Sequence, residues 1–194
     1  MALKLITAPA TEPVTSTEAK SHLRVDTTAD DTLIGTLITA ARQHVEAHLR
    51  RALITQTWEL VTDAFPVGDV LRLPLPPLVS VTSIKYTDED GAESTFSSGL
   101  YVVDTDSTKG RVVLKNGETW PSVTLAAANG VRVRYVAGYG EASAVPRPIR
   151  QAILLLIGTM YENRESVLVA QGVTVAQLPF GVDALLMPYR IFGW

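Results

Sequence analysis

The sequence contains no cysteine. This absence excludes a disulfide framework, a thiolate zinc site and a cysteine nucleophile, and it fits a reducing compartment. A surplus of positive charge is also missing, because the formal net charge is −3 at pH 7. Proteins whose main task is to hold nucleic-acid phosphates are usually basic. The charge therefore argues against tight DNA binding, although it is compatible with DNA that slides past.

Long apolar runs are missing as well. The most apolar stretch is shorter than the roughly 20 residues that a membrane-spanning helix needs, so no membrane partner is predicted. Residues 1–10 are too short an apolar run for a signal sequence, and we expect no export or targeting segment. What the chain does have is 194 residues, 46% of them hydrophobic. This is sufficient for one large domain or two small ones.

The most apolar stretch follows Pro146, and its pattern predicts a central helix. Pro148 suits the start of a helix, where a missing N–H group costs no hydrogen bond. Ile149, Ile153 and Ile157 then recur at helical spacing, but apolar residues also occupy much of the remaining circumference. This surplus predicts that the helix is buried in its own core, at a subunit interface, or at both. The candidate interface residues are Leu154, Leu155 and Tyr161.

Two further helices are predicted before the central one. Residues 1–14, with Pro9 and Pro13, are interpreted as an extended arm. The segment from Thr15 to Glu18 has the capping-box pattern and predicts a short helix as far as Leu23. Residues 31–51 form the clearest amphipathic helix of the sequence.

Between these helices the pattern changes to strands. Seven short runs rich in β-branched and aromatic residues are separated by turn signals: residues 54–63, 70–73, 79–86, 93–96, 101–103, 111–114 and 131–136. They predict an antiparallel β barrel or sandwich. The predicted fold class is α+β, a helical core with this β-domain inserted. The predicted segments are residues 1–52, 53–145 and 146–194, and the two connections to the inserted domain should lie close together.

The candidate chemistry is sparse. His44 and His48 are one helical turn apart, as in zinc hydrolases, but Glu46 does not occupy the position of the general base in that motif. We therefore favour histidines that pack and form hydrogen bonds, and we predict neither an enzyme nor a cofactor. The C-terminal aromatic residues Tyr189, Phe192 and Trp194 predict a segment that either folds back on its own domain or docks into a partner.

Several segments carry a resemblance to a known family. They are TEAKSHLRV (residues 17–25), RALITQTW (51–58), LPLPPLVSVTSIKY (73–86), VAGYG (136–140), VPRPIRQAILLL (145–156), YENR (161–164) and LPFGVDALL (178–186). In these segments and their order the chain resembles the head–tail connector (adaptor) proteins of tailed phages, prophages and gene-transfer agents, in the long form with an inserted β-domain. One departure is Arg50, where related sequences often have glycine to end the helix.

The resemblance implies a structural virion protein at the head–tail interface, present in the host cytoplasm during assembly. It implies a ring of about twelve copies on the portal, compatible with a monomer when free, that continues the channel for double-stranded DNA without reading its sequence. The other implied partners are a stopper (head-completion) or tail protein. Portal docking is assigned to the C-terminal residues Phe180, Leu185, Leu186, Tyr189, Phe192 and Trp194.

Two rival functions remain open from the sequence. One is a metal-dependent hydrolase that uses His44 and His48. The other is a free-standing binding module formed by the β-domain.

Overall fold

The computed structural model describes residues 1–163 and 180–192 of the chain. The described part is α+β and contains eight strands and four α-helices. The strands are β1 (Ala2–Thr7), β2 (Gln56–Thr62), β3 (Val70–Arg72), β4 (Leu78–Thr87), β5 (Glu93–Phe96), β6 (Tyr101–Asp104), β7 (Arg111–Leu114) and β8 (Val131–Ala137). The helices are α1 (Ser16–Leu23), α2 (Asp31–Leu49), α3 (Arg147–Glu162) and α4 (Phe180–Leu186).

The chain divides into two compact units. The β unit consists of Met1–Ala10 and Ile54–Tyr139, and the helical unit consists of Thr11–Leu53 and Gly140–Trp194. Residues 1–10 therefore belong to the same unit as the strands that follow the second helix. None of the described helices is long and apolar enough to cross a bilayer.

The β unit contains two antiparallel sheets. One has five strands in the order β1-β2-β8-β4-β5, and the other has three in the order β3-β7-β6. Both sheets are open, so the described residues do not form the closed barrel that the sequence analysis allowed. Phe96 of β5 stacks on Tyr101 of β6, with ring centroids 5.8 Å apart, so aromatic side chains join the two sheets.

Residues 2–7 are a strand and not the extended arm that the sequence analysis expected. β1 pairs antiparallel with β2, and Leu3 lies opposite Leu60 and Leu5 opposite Trp58. The alternation of Leu3 and Leu5 with Ala2 and Lys4 is a strand signal. It was overlooked because the run is short and close to two prolines.

The two connections to the β unit lie close together, as predicted. The first residue of β2, Gln56, pairs with the last residue of β8, Ala137. Just beyond this pair, Gly138 has φ +132°, and a Cβ atom there would lie 2.4 Å from the carbonyl oxygen of Ile54. Only glycine therefore allows the two backbone segments to approach this closely.

In the helical unit, the start of α1 and the end of α2 follow local rules. The Thr15 hydroxyl accepts a hydrogen bond from the N–H of Glu18 at 3.1 Å, and the Thr15 N–H donates to the Glu18 carboxylate at 2.8 Å. The predicted capping box is thus confirmed. α2 ends at Arg50, which has the left-handed conformation with φ 55°. This is the conformation that glycine usually supplies at a helix end.

The central helix α3 is more one-sided than its sequence suggests. Pro146 is the N-cap, so Pro148 occupies the second helical position rather than the first. The buried residues lie on one face and are Ile149, Ala152, Ile153, Leu156 and Ile157. α2 and α4 both pack against α3. The helix is therefore a core element of its unit, with apolar residues left over at the margins of the buried face.

Candidate functional site

The C-terminal segment, residues 180–192, is held against the end of α2 by its backbone. The Nε–H group of Arg51 donates to the carbonyl oxygen of Tyr189 at 2.5 Å, and the N–H of Ile191 donates to the carbonyl oxygen of Leu49 at 3.0 Å. Ile191 is buried. The segment therefore folds back on its own unit over most of its described length.

Two large apolar side chains on this segment remain in solvent. Met187 is 59% exposed and Phe192 is 64% exposed, whereas Leu185 and Tyr189 are half-buried. The guanidinium of Arg190 lies 5.4 Å from the centre of the Phe192 ring, which is a cation–π distance. These exposed and half-buried residues occur together on one held segment, and we call Leu185, Met187, Tyr189 and Phe192 the C-terminal patch. Met187 was not singled out from the sequence, where its only signal is its place between Leu186 and Pro188.

Among the other assigned docking residues, the structure describes the side chain of Leu186 alone, and Leu186 does not belong to this patch. Leu186 is fully buried and acts as a core residue of the helical unit. It was expected at the docking surface because it is apolar and close to the aromatic residues, but its position one helical turn from buried Val182 turns it inward. Phe180 begins α4, but its side chain lies outside the described residues, as does Trp194.

The candidate interface residues of α3 lie beside its buried face. Leu154, Leu155 and Tyr161 are all half-buried. The Tyr161 hydroxyl donates to the Asp30 carboxylate at 2.5 Å, which fastens the end of α3 to the start of α2. Leu154 lines an open groove of about 480 Å³ together with Thr17, Glu18, Ser21 and His22 of α1. Of the three, Leu154 therefore has the clearest access to a partner.

A charged cluster inside the helical unit was missed from the sequence. The side chain of Arg42 is only 8% exposed and donates to Glu12 and to Glu46, each at 2.7 Å. Burial alone would lower the pKa of Arg42, but the hydrogen bonds and charges of the two carboxylates outweigh it and raise the pKa. Glu46 also accepts from the N–H of Leu53 at 2.9 Å. The cluster thus ties residues 12 and 53 to α2.

The two histidines of α2 were predicted to pack, but they lie beside the buried face of the helix. His44 is exposed and His48 is half-buried, because the buried face is centred on Ala41 and Val45. Burial and the nearby Arg190 lower the pKa of His48, although Asp183 at 3.7 Å acts in the opposite direction. Among the residues that the structure describes, no three histidine or carboxylate side chains converge to hold a metal ion.

The described surface of the helical unit therefore offers exposed apolar side chains, Met187 and Phe192, on a segment that is held to its own unit. The chain belongs to the head completion protein family, which it matches over residues 13–192. The match confirms the resemblance to head–tail connectors.

Solved structures support the same assignment. One similar chain is part of the neck of an empty gene transfer agent (GTA) particle solved with C6 symmetry, with 29% identity and a TM-score of 0.80. Another belongs to the virion of a native GTA particle, with 29% identity and a TM-score of 0.79. A third comes from the neck of a native GTA particle solved with C12 symmetry, with 26% identity and a TM-score of 0.75. Each match covers 100% of this chain and 97% of the other. A search of curated proteins gave no match.

Proposed function

We propose that this protein is a structural, non-enzymatic component of a virion neck. It forms a ring on the portal, continues the DNA channel, and offers a platform to a stopper or tail protein. The observation that carries this proposal is the full-length similarity to chains of GTA necks, together with membership of the head completion protein family. The C12 and C6 symmetries of those necks favour a cyclic assembly, in which every copy presents two different surfaces to its neighbours.

The C-terminal patch is the proposed portal-docking surface. Its apolar side chains lie on a segment that is held by a hydrogen bond from the Arg51 side chain to the carbonyl oxygen of Tyr189 and by a backbone hydrogen bond from Ile191 to Leu49, the last residue of α2. A support that is already ordered reduces the conformational entropy lost on binding. Phe192 is the best candidate for an anchor, because it is aromatic and exposed and such residues dominate many interfaces. Phe180 and Trp194 remain candidates for the same surface.

The groove beside Leu154, which lies in the helical unit, is the proposed place of a contact between neighbouring subunits. Leu155 and Tyr161 are proposed to contribute at its margins. The modest net charge supports a channel through which DNA passes without being held.

The proposal is tested by a single substitution rather than by removing residues 189–194, because that deletion would also remove buried Ile191. Phe192→Asp places a charge on the exposed ring position and leaves Ile191 in the core. We expect at least a tenfold loss of affinity for the portal, measured by co-sedimentation or mass photometry, with an unchanged melting temperature.

The matched control is Val79→Asp, which adds the same charge at an exposed position of the β unit. It should leave portal binding intact. Normal portal binding by Phe192→Asp would contradict the assignment of the C-terminal patch.

A further inference from the structure

The surface of β1 is unusually apolar for a strand at the edge of a sheet. All six of its residues are exposed, and β1 is the outer strand of the five-stranded sheet. Ten large hydrophobic side chains are exposed in the described part of the chain, and four of them lie within residues 1–6: Met1, Leu3, Leu5 and Ile6. The remaining ones in the β unit are valines at separate positions, Val67, Val79, Val102 and Val123.

An apolar edge of this kind is a hazard for a free protein. The outer side of β1 presents backbone N–H and C=O groups that no described strand pairs. Natural proteins protect such edges with charges, prolines or covering elements, because they otherwise join to other chains. Lys4 is the only charged residue in β1. The edge therefore has the properties of a surface that is covered in the assembled state.

We propose that β1 is a contact surface between neighbouring copies of this chain in the ring. This inference rests on the proposed ring. A cyclic assembly must bury apolar surface between every pair of neighbours, and a stable interface takes about 800 Å² from each partner. Exposed apolar side chains gather in two places of the described residues: the C-terminal patch, which is assigned to the portal, and residues 1–6 of the β unit. The groove beside Leu154 is proposed for the lateral contact of the helical unit, and the edge at β1 is the apolar surface that the β unit offers for the same contact.

We do not expect the partner of β1 to be the opposite edge of the same sheet in the next copy. Neighbouring strands are rotated by roughly 20–25°, so β1 and β5, four strand steps apart, differ by about 80–100° in direction. A rotation of about 30° between adjacent copies of a twelve-fold ring cannot make these two edges parallel. We therefore expect side-chain packing against another surface of the neighbour, and not a sheet that continues around the ring.

The absence of native cysteine allows a direct test. Leu5→Cys in the full-length protein is labelled with benzophenone maleimide, assembled on the portal, and irradiated. We expect covalent dimers and higher multimers of this chain on a denaturing gel, with the crosslinked peptides identified by mass spectrometry. Val67→Cys, at another exposed apolar position of the β unit, is the matched control and should give no such ladder.

The possible results separate this inference from the proposed function. If rings are visible by electron microscopy but Leu5→Cys links only to the portal, only to another neck protein, or to nothing, the inference about β1 is wrong. If the unmodified protein forms no ring on the portal, the proposed function fails instead.

A second variant tests the same contact through charge. Leu3→Lys together with Leu5→Lys should reduce ring occupancy on the portal at least tenfold at equal protein concentration. Val67→Lys should have no effect. Because both leucines are partly in solvent, we expect the circular dichroism spectrum and melting temperature to change little. Complete rings formed by the double variant would overturn the proposal. If the double variant does not fold, the crosslinking result decides whether the proposal holds.

Discussion

At the scale of single residues, Arg42 is the clearest example of a side chain whose role depends on its partners. It lies on the buried face of α2, where a lone charge would be unfavourable, but Glu12 and Glu46 each accept one of its hydrogen bonds. A buried ion pair contributes little compared with well-packed apolar residues, whereas removing one partner leaves the others uncompensated. Arg42 is thus essential to the cluster without being a source of unusual stability.

We predict that Arg42→Ala lowers the free energy of unfolding by about 3–5 kcal/mol, because it leaves two carboxylates without their partner. Urea unfolding followed by circular dichroism measures this change. Arg72→Ala, at an exposed position of β3, is the control and should change stability by about 0.5 kcal/mol or less. A loss below about 1 kcal/mol for Arg42→Ala would contradict the role assigned to the cluster.

At the scale of elements, the start of α1 shows how a local motif gains a tertiary role. Glu18 completes the capping box with Thr15, and its carboxylate also accepts a hydrogen bond from Arg150 of α3. Arg150 in turn donates to the carbonyl oxygen of Pro13 at 2.9 Å. The first turn of α1 is therefore joined to the central helix.

The same contacts make a pH-dependent prediction. The hydrogen bond from the Thr15 backbone is the main cause that lowers the pKa of Glu18, and Arg150 adds to it, although partial burial opposes both. A carboxyl group whose pKa is lower in the folded state stabilises the protein above its unfolded pKa of about 4.3, and this contribution disappears as the pH falls.

Glu18→Gln should therefore cost about 0.5–1 kcal/mol at pH 7, a modest amount because the side chain is partly exposed. The difference from the wild-type protein should be smaller at pH 3, which is below the unfolded pKa, because the contribution of a lowered pKa is lost as the pH falls. Urea unfolding at both pH values measures it. Glu89→Gln, at the exposed β4–β5 turn, is the control and should change stability by about 0.5 kcal/mol or less at either pH. A difference that is equal at both pH values would rule out the charge of Glu18 as its cause.

At the scale of the whole molecule, the chain contains two units with separate cores. The β unit is formed from two stretches of sequence, and its connections to the helical unit meet where Gln56 pairs with Ala137. Removal of the β unit therefore leaves two chain ends that a short linker can join.

We predict that residues 11–53, joined to residues 140–194 by a short Gly-Ser linker, form a helical protein that unfolds cooperatively and still binds the portal. The proposed portal surface and the Arg42 cluster both lie in this part of the chain. Thermal unfolding followed at 222 nm and portal co-sedimentation are the measurements. If the shortened protein shows no cooperative transition, the helical unit depends on the β unit for its stability.

Features that depend on nearby residues could be predicted from the sequence, whereas a feature that depends on residues far apart in the sequence was missed. The capping box at Thr15, the helices α1, α2 and α3 and seven of the eight described strands follow from spacing and propensity, because these patterns depend on neighbours only a few residues apart. The family could also be recognised from the sequence, because its packing motifs occur in a recognisable order. β1 was missed because six residues beside prolines carry a weak signal, although they pair with residues fifty or more positions away.

The sequence by itself determined the fold class, the interruption of the helical part by strands and the family. The tertiary structure alone decided which apolar side chains are core and which are surface. Leu186 is buried and Met187 exposed, although both are apolar neighbours. Arg42 is buried because Glu12, thirty residues away, accepts its hydrogen bond. The physical reason is that burial and charge compensation depend on contacts between distant segments, and these contacts exist only after the chain has folded.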